Sequence, residues 1–105
     1  MNLRFAKIAT HEYKMARSYY RSVNNSTESA FVRDVELTLR RIQQFTLAGF
    51  EIETGIRRRI LMRFPYAIVY AALESDLYIL GVFDQRQQPI HWSDRLERPE
   101  NRERS

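Results

Sequence analysis

The sequence predicts an α+β domain in which an N-terminal strand and an antiparallel helix hairpin pack on a small, mainly antiparallel sheet. Three observations lead there. Apolar residues fall three and four apart through the first half of the chain, which is the spacing of one helix face. From residue 55 onward the period becomes two, the spacing of a strand. The length of 105 residues, 44% of them hydrophobic, is enough to bury one core and too little to divide into two, so residues 1–96 are expected to form one domain.

Residues 2–6 alternate, with Leu3 and Phe5 on one side and Arg4 on the other, and predict a short strand. From about Thr10 the pattern changes. Ala9, Tyr13, Ala16, Tyr20 and Val23 share one helix face, and Lys14, Arg17 and Arg21 take the opposite one. Asn24 to Thr27 interrupt this helix with cap-forming residues, and Asn25 followed three later by Glu28 has the form of a capping box for a second helix. Phe31, Val35, Leu39, Ile42 and Phe45 give that helix its apolar face, while Arg33, Asp34, Arg40 and Arg41 face outward, and Gly49 marks a stop soon after. So short a connection makes the two helices an antiparallel hairpin that needs a third surface to cover it.

That surface is expected from residue 55 onward. Ile56, Ile60, Met62 and Phe64 alternate with Arg57, Arg59, Leu61 and Arg63, so one strand would show a largely apolar face and a largely basic one, with Arg58 the exception on the apolar side. Residues 66–73 are rich in β-branched and aromatic side chains. They predict a second strand, which turns at Glu74, Ser75 and Asp76 into a third over residues 77–83. Beyond Asp84 the chain becomes polar, reaches Pro89, and then places Ile90, Trp92 and Leu96 among charges, the pattern of a short helix or docked tail. Residues 97–105 alternate acids and arginines and predict a flexible tail.

Cysteine is absent, which excludes disulfide frameworks, thiolate metal sites and cysteine nucleophiles. Two isolated histidines without paired carboxylates argue against a metal site, and three scattered glycines cannot build a phosphate-cradling loop, so no cofactor is expected. No secretory signal or membrane-length apolar run is visible, and a cytoplasmic protein without a membrane partner is the expectation. The net charge is +4, and fifteen of the seventeen basic residues are arginine, since Lys7 and Lys14 are the only lysines. Guanidinium forks suit phosphates and carboxylates, so the partner is expected to be anionic: nucleic acid or an acidic protein segment.

Two stretches carry a family resemblance. RRRILMRFPYAIVY (57–70) and LYILGVFDQRQQPIHWSDR (77–95) resemble an arginine-rich strand, an FPY turn, an apolar strand and a closing R-x-x-P-x-x-W-x-x-R formed by Arg86, Pro89, Trp92 and Arg95. In the first helix Ala9, Glu12, Ala16, Tyr19 and Tyr20 are similar to an A-x-x-E-x-x-x-A-x-x-Y-Y run. Together these resemble the RelE/ParE superfamily of bacterial type II toxin–antitoxin systems, and the ParE-like members in particular. The resemblance implies a growth inhibitor that binds DNA gyrase and is neutralised by a cognate antitoxin, in a hetero-oligomer with it. An alternative implied by other members is a ribosome-dependent mRNA endonuclease, with the ribosome and mRNA as partners. A third reading is a non-toxic interaction or co-repressor module.

The residues expected to bind target or antitoxin are Arg57, Arg59, Arg63, Arg86, Trp92 and Arg95. Arg57, Arg59 and Arg63 on one strand face would clamp phosphate or meet an acidic segment, and equally suit a solvated sheet face. Arg86 would approach that row from the end of the last strand, or pair locally with Asp84 or Glu74. In the endonuclease reading Arg63 and Arg86 would position a scissile phosphate and His91 would transfer a proton. Trp92 would either stack on a base or anchor the tail to the core.

Overall fold

The computed structural model describes residues 2–87 and 91–97. Its elements run β1 (Asn2–Phe5), α1 (Lys7–Val23), α2 (Asn25–Gln44), a 3-10 turn (Thr46–Ala48), β2 (Phe50–Glu53), β3 (Ile56–Ile60), β4 (Tyr66–Leu73), β5 (Asp76–Asp84) and α3 (Trp92–Glu97). The five strands form one sheet in the order β1-β5-β4-β3-β2, antiparallel except where β1 lies parallel to β5. The predicted α+β arrangement is the one observed.

α1 starts at Lys7, three residues before its predicted start, because Ala6 is buried and donates its N–H to Ile79 O (2.9 Å), which fixes the chain for an immediate turn. A single residue separates the two helices. Asn24 is fully extended, and its side chain accepts a hydrogen bond from the Thr27 N–H (2.7 Å). The predicted capping box at Asn25 and Glu28 therefore does not form. Asn24 is the cap, and the Glu28 carboxylate turns instead to Arg17 (3.2 Å) and Arg21 (2.6 Å) of α1, fastening the hairpin across its open side.

The hairpin packs on one sheet face. Ala9 and Ala16 let α1 approach closely, and Phe31, Val35 and Ile42 of α2 meet Ile68, Tyr70, Leu77 and Ile79 of the sheet. Tyr20, Phe31, Phe64 and Tyr66 close this core with edge-on and tilted ring contacts at 4.8–5.4 Å. A smaller core lies on the other face, where Ile56, Val69, Ala71 and Leu80 lie with Trp92 of α3.

The arginine strand differs from its prediction in two ways. β3 ends at Ile60, short of the expected Phe64, because the buried Asp34 carboxylate on α2 accepts the N–H groups of Met62 (3.2 Å) and Arg63 (2.8 Å) and draws the chain out of the ladder. Arg63 thus stands in a turn and not on the strand. The strand β2 was also not foreseen; it follows Gly49 and pairs antiparallel with β3 through a turn at Thr54 and Gly55, where Gly55 has φ +75°. Gly49 is not the end of α2. It is buried where a Cβ would meet the Tyr70 hydroxyl and lie 2.9 Å from Arg58 O.

The β4–β5 hairpin matches its prediction within a residue or two at each end, with Glu74 adopting φ +55° in the turn. Its register slips by one residue at Leu80, since Val69 faces Gly81 while Tyr70 faces Ile79. This bulge turns both Leu80 and Gly81 toward α3 and leaves a glycine beneath the indole of Trp92. Gln88, Pro89, Ile90 and residues 98–105 lie outside the described residues, and with them most of the predicted tail.

Candidate partner-binding site

The cross-strand register decides where each arginine of β3 points. Arg57 faces Tyr70 and Arg59 faces Ile68, so both share the helix side of the sheet, whereas Arg58 faces Val69 on the α3 side. Arg57 is half-buried. It donates to Gly49 O (2.8 Å) and lies 4.0 Å from the Glu51 carboxylate. Burial pushes the neighbouring Tyr70 hydroxyl above the usual tyrosine range, against the opposing pull of a Gly49 backbone hydrogen bond and the charges of Arg57 and Arg59. Arg59 has a buried Nη1 without a hydrogen-bond partner.

On the other face a cavity of about 350 Å3 opens between Phe50, Ile52, Val69, Phe83 and Trp92, with Arg58 in its wall. The Arg58 guanidinium lies 5.5 Å from the centre of the Phe50 ring, and its buried Nε has no hydrogen-bond partner. Glu51 and Glu53 also line this cleft, so the charge of Arg58 is opposed within it. The sequence pattern pointed away from Arg58, because it interrupts the apolar side of the alternation.

Arg86 is exposed and bound to a neighbour. Its Nε and Nη2 grip both Asp84 oxygens at 2.9 and 2.7 Å, which holds the Asp84 carboxyl below the usual carboxylate range. It lines a second cavity beside Tyr19 and Tyr66, on the helix side of the sheet. His91 is exposed just ahead of α3, on the opposite side. Arg63 stands in the turn after β3 and Arg86 follows β5 beside that turn, where the Gln85 N–H donates to Pro65 O (3.1 Å), whereas His91 leads into α3 on the other face.

Trp92 and Arg95 are anchors. Trp92 is 4% exposed and meets the Phe83 ring edge-on at 5.2 Å. Its N–H and that of Ser93 donate to the Glu53 carboxylate at 2.7 and 3.2 Å, so the end of β2 caps the start of α3. Burial works against the charge on Glu53, yet these hydrogen bonds and nearby His91 hold its pKa below the ordinary value. Arg95 lies over the Trp92 ring (4.5 Å), donates to Leu80 O (3.1 Å) and forms a two-pronged ion pair with Glu12. Glu12 also accepts the Val82 N–H (3.1 Å). Together the pair satisfies the edge of β5 beyond the reach of β1, a role that residues 83 positions apart do not announce in sequence.

Among the described residues no three His, Cys, Asp or Glu side chains gather to hold a metal ion, and no helix is long and apolar enough to cross a membrane. A solved structure described as the chromosomal ParDE TA system from P. aeruginosa contains a chain that superposes with a TM-score of 0.70, covering 80% of this chain and 95% of that one at 18% identity. The fold is ParE-like. No family model and no curated protein matches the sequence. Available to a partner are Arg58 at its cleft, the exposed Arg63 in its turn, and the exposed row Met15, Tyr19 and Val23 on α1.

Proposed function

We propose that the chain is a type II toxin of ParE character, a cytoplasmic growth inhibitor that binds DNA gyrase and is neutralised by a cognate antitoxin in a hetero-oligomer. The observation that carries this reading is the superposition on nearly the whole of a chain from a ParDE toxin–antitoxin structure. Met15, Tyr19 and Val23, at 57–61% exposure and spaced four apart, offer an apolar seam for a partner helix. Exposed Arg63 and Arg86 are the arginines we assign to target contact.

The chemistry of the arginines favours target binding over RNA cleavage. Attack by a 2′-hydroxyl needs a proton acceptor beside the cations that hold the phosphate, and arginine stays protonated. His91, the side chain able to take that role in the endonuclease reading, lies across the sheet from Arg86.

Induction of the chain alone should stop growth, and co-expression of the antitoxin should restore it. Arg63→Ala combined with Arg86→Ala should relieve the arrest in a protein that still folds. Normal growth on induction of the unaltered chain would leave only the non-toxic co-repressor reading.

A further inference from the structure

Exposed apolar side chains gather where α2 passes into β2. Among the described residues nine large hydrophobics are exposed, and three of them, Phe45, Leu47 and Phe50, fall within six consecutive positions, a density that scattered surface residues do not reach. The 3-10 turn there satisfies its own backbone. The Phe45 N–H donates to Arg41 O (2.8 Å) and the Ala48 N–H to Phe45 O (3.0 Å), while the side chains of Phe45 and Leu47 stay 57% and 74% exposed. β2 then starts at Phe50 opposite Arg58, whereas β3 runs on to Ile60, so Arg59 and Ile60 have β4 on one side and no strand on the other. An open cavity of about 420 Å3 fills that notch, lined by Ala48, Gly49, Phe50, Arg58, Arg59 and the exposed Ile60.

The charge of this corner has one sign. Residues 41–50 and 58–60 include Arg41, Arg58 and Arg59 and no aspartate or glutamate. Glu51, next in the chain, lines the neighbouring cleft and not the notch, and it is engaged by the Gly55 N–H (3.1 Å) with Arg57 at 4.0 Å. Two guanidinium nitrogens of the notch arginines, Arg58 Nε and Arg59 Nη1, are out of water without a hydrogen-bond partner. Such donors are costly to leave unmatched, and an anion seated in the notch would give these two arginines an acceptor. The Arg58 guanidinium also lies over the Phe50 ring (5.5 Å), which joins the charge to the apolar collar.

We propose that this corner docks on an anionic lipid surface, phosphate headgroups entering the notch between Arg58 and Arg59 while Phe45, Leu47, Phe50 and Ile60 sink into the boundary of the acyl chains. Attachment at a bilayer surface draws on these two sources, apolar area removed from water and attraction to anionic headgroups. The sequence expectation of no membrane partner rests on the lack of a spanning segment, and a contact made by side chains at the surface requires none. A second copy of the chain docked corner to corner would set Arg58 and Arg59 against their own kind, and a nucleic acid would leave Phe45 and Leu47 uncovered. The corner is separate from the α1 seam, and its role does not depend on what the protein inhibits.

The test is co-sedimentation of the full chain with vesicles of phosphatidylcholine alone and of phosphatidylcholine carrying about 30% phosphatidylglycerol. The anionic vesicles should bind the chain about tenfold more tightly than the neutral ones. Phe45→Ser combined with Leu47→Ser and Phe50→Ser should weaken that binding about tenfold, and Arg58→Gln with Arg59→Gln should abolish the preference for anionic lipid. Lys7→Gln with Lys14→Gln removes the same charge from exposed positions elsewhere and should change binding by less than about twofold. Glycerol phosphate added to the bound protein separates a lipid surface from a soluble phosphate: it should leave the chain on the vesicles. Far-UV circular dichroism establishes that each variant is folded, and the serine triple, built at exposed positions, carries the test if the arginine pair is not. No binding to anionic vesicles, undiminished binding by the serine triple, an equal loss in the lysine variant, or release by glycerol phosphate or by an equal charge of single-stranded DNA or polyglutamate would each overturn the proposal.

Discussion

Arg95 of α3 and Glu12 of α1 form a two-pronged ion pair, Nη1 to Oε1 at 2.8 Å and Nη2 to Oε2 at 3.0 Å, that closes the unpaired edge of β5. Both side chains are mostly buried, so removing one leaves the other desolvated without a partner. Glu12→Ala should cost about 2–4 kcal/mol of stability in urea denaturation, since it also orphans the Val82 N–H. A double-mutant cycle with Arg95→Ala should show strong coupling, and additive effects would mean that the pair does not act as a unit.

Gly81→Ala should dislodge α3. A Cβ at this position would stand 2.7 Å from Trp92 Cη2 and 2.9 Å from Arg95 Nη1, so one of these side chains must move. The indole would leave a site whose burial contributes about 2–3 kcal/mol. Trp92 is the only tryptophan, so its emission reports this directly: a red shift in the Gly81→Ala protein is expected, and an unchanged spectrum would show that the contact yields.

Acid should loosen the same helix through Glu53. The fold favours its ionised form, so its folded pKa lies below the ordinary value of 4.5. The stabilisation is then complete above that value and is lost as pH falls through the lower, folded pKa. Trp92 emission should begin to shift below about pH 4.5, and Glu53→Gln should remove that transition while weakening docking at neutral pH.

Asp34→Ala should free the turn after β3. Loss of the two backbone hydrogen bonds to Met62 and Arg63 in a buried position should cost about 2–3 kcal/mol in denaturant unfolding. Amide exchange at Met62 and Arg63 should accelerate more than in the β4–β5 hairpin.

Which parts of this molecule were legible in sequence follows from the range of the interactions that decide them. The β4–β5 hairpin could be read because β-branched and aromatic residues run uninterrupted to a turn at Glu74 and Ser75. The helix faces could be read because Phe31, Val35 and Ile42 share one side of α2. The four residues of β2 were hidden, as Phe50 and Ile52 alternate with two glutamates in too short a run to distinguish from a loop. The end of β3 was decided by Asp34, which lies 28 residues before the Met62 it holds, and no local pattern reveals it. The site suffered most from this. Alternation placed Arg57 and Arg59 on one face, and the local pair of Arg86 with Asp84 was one of the two sequence readings, but the pairing of Arg95 with Glu12 is tertiary.

The proposed binding to DNA gyrase is tested most directly by a gyrase supercoiling and cleavage assay run beside in vitro translation with the same purified chain. Blocked supercoiling or trapped cleavage complexes, relief on adding the antitoxin, and translation at its normal rate are expected. Arrested translation with intact supercoiling would contradict it and would place the protein with the ribosome-dependent endonucleases.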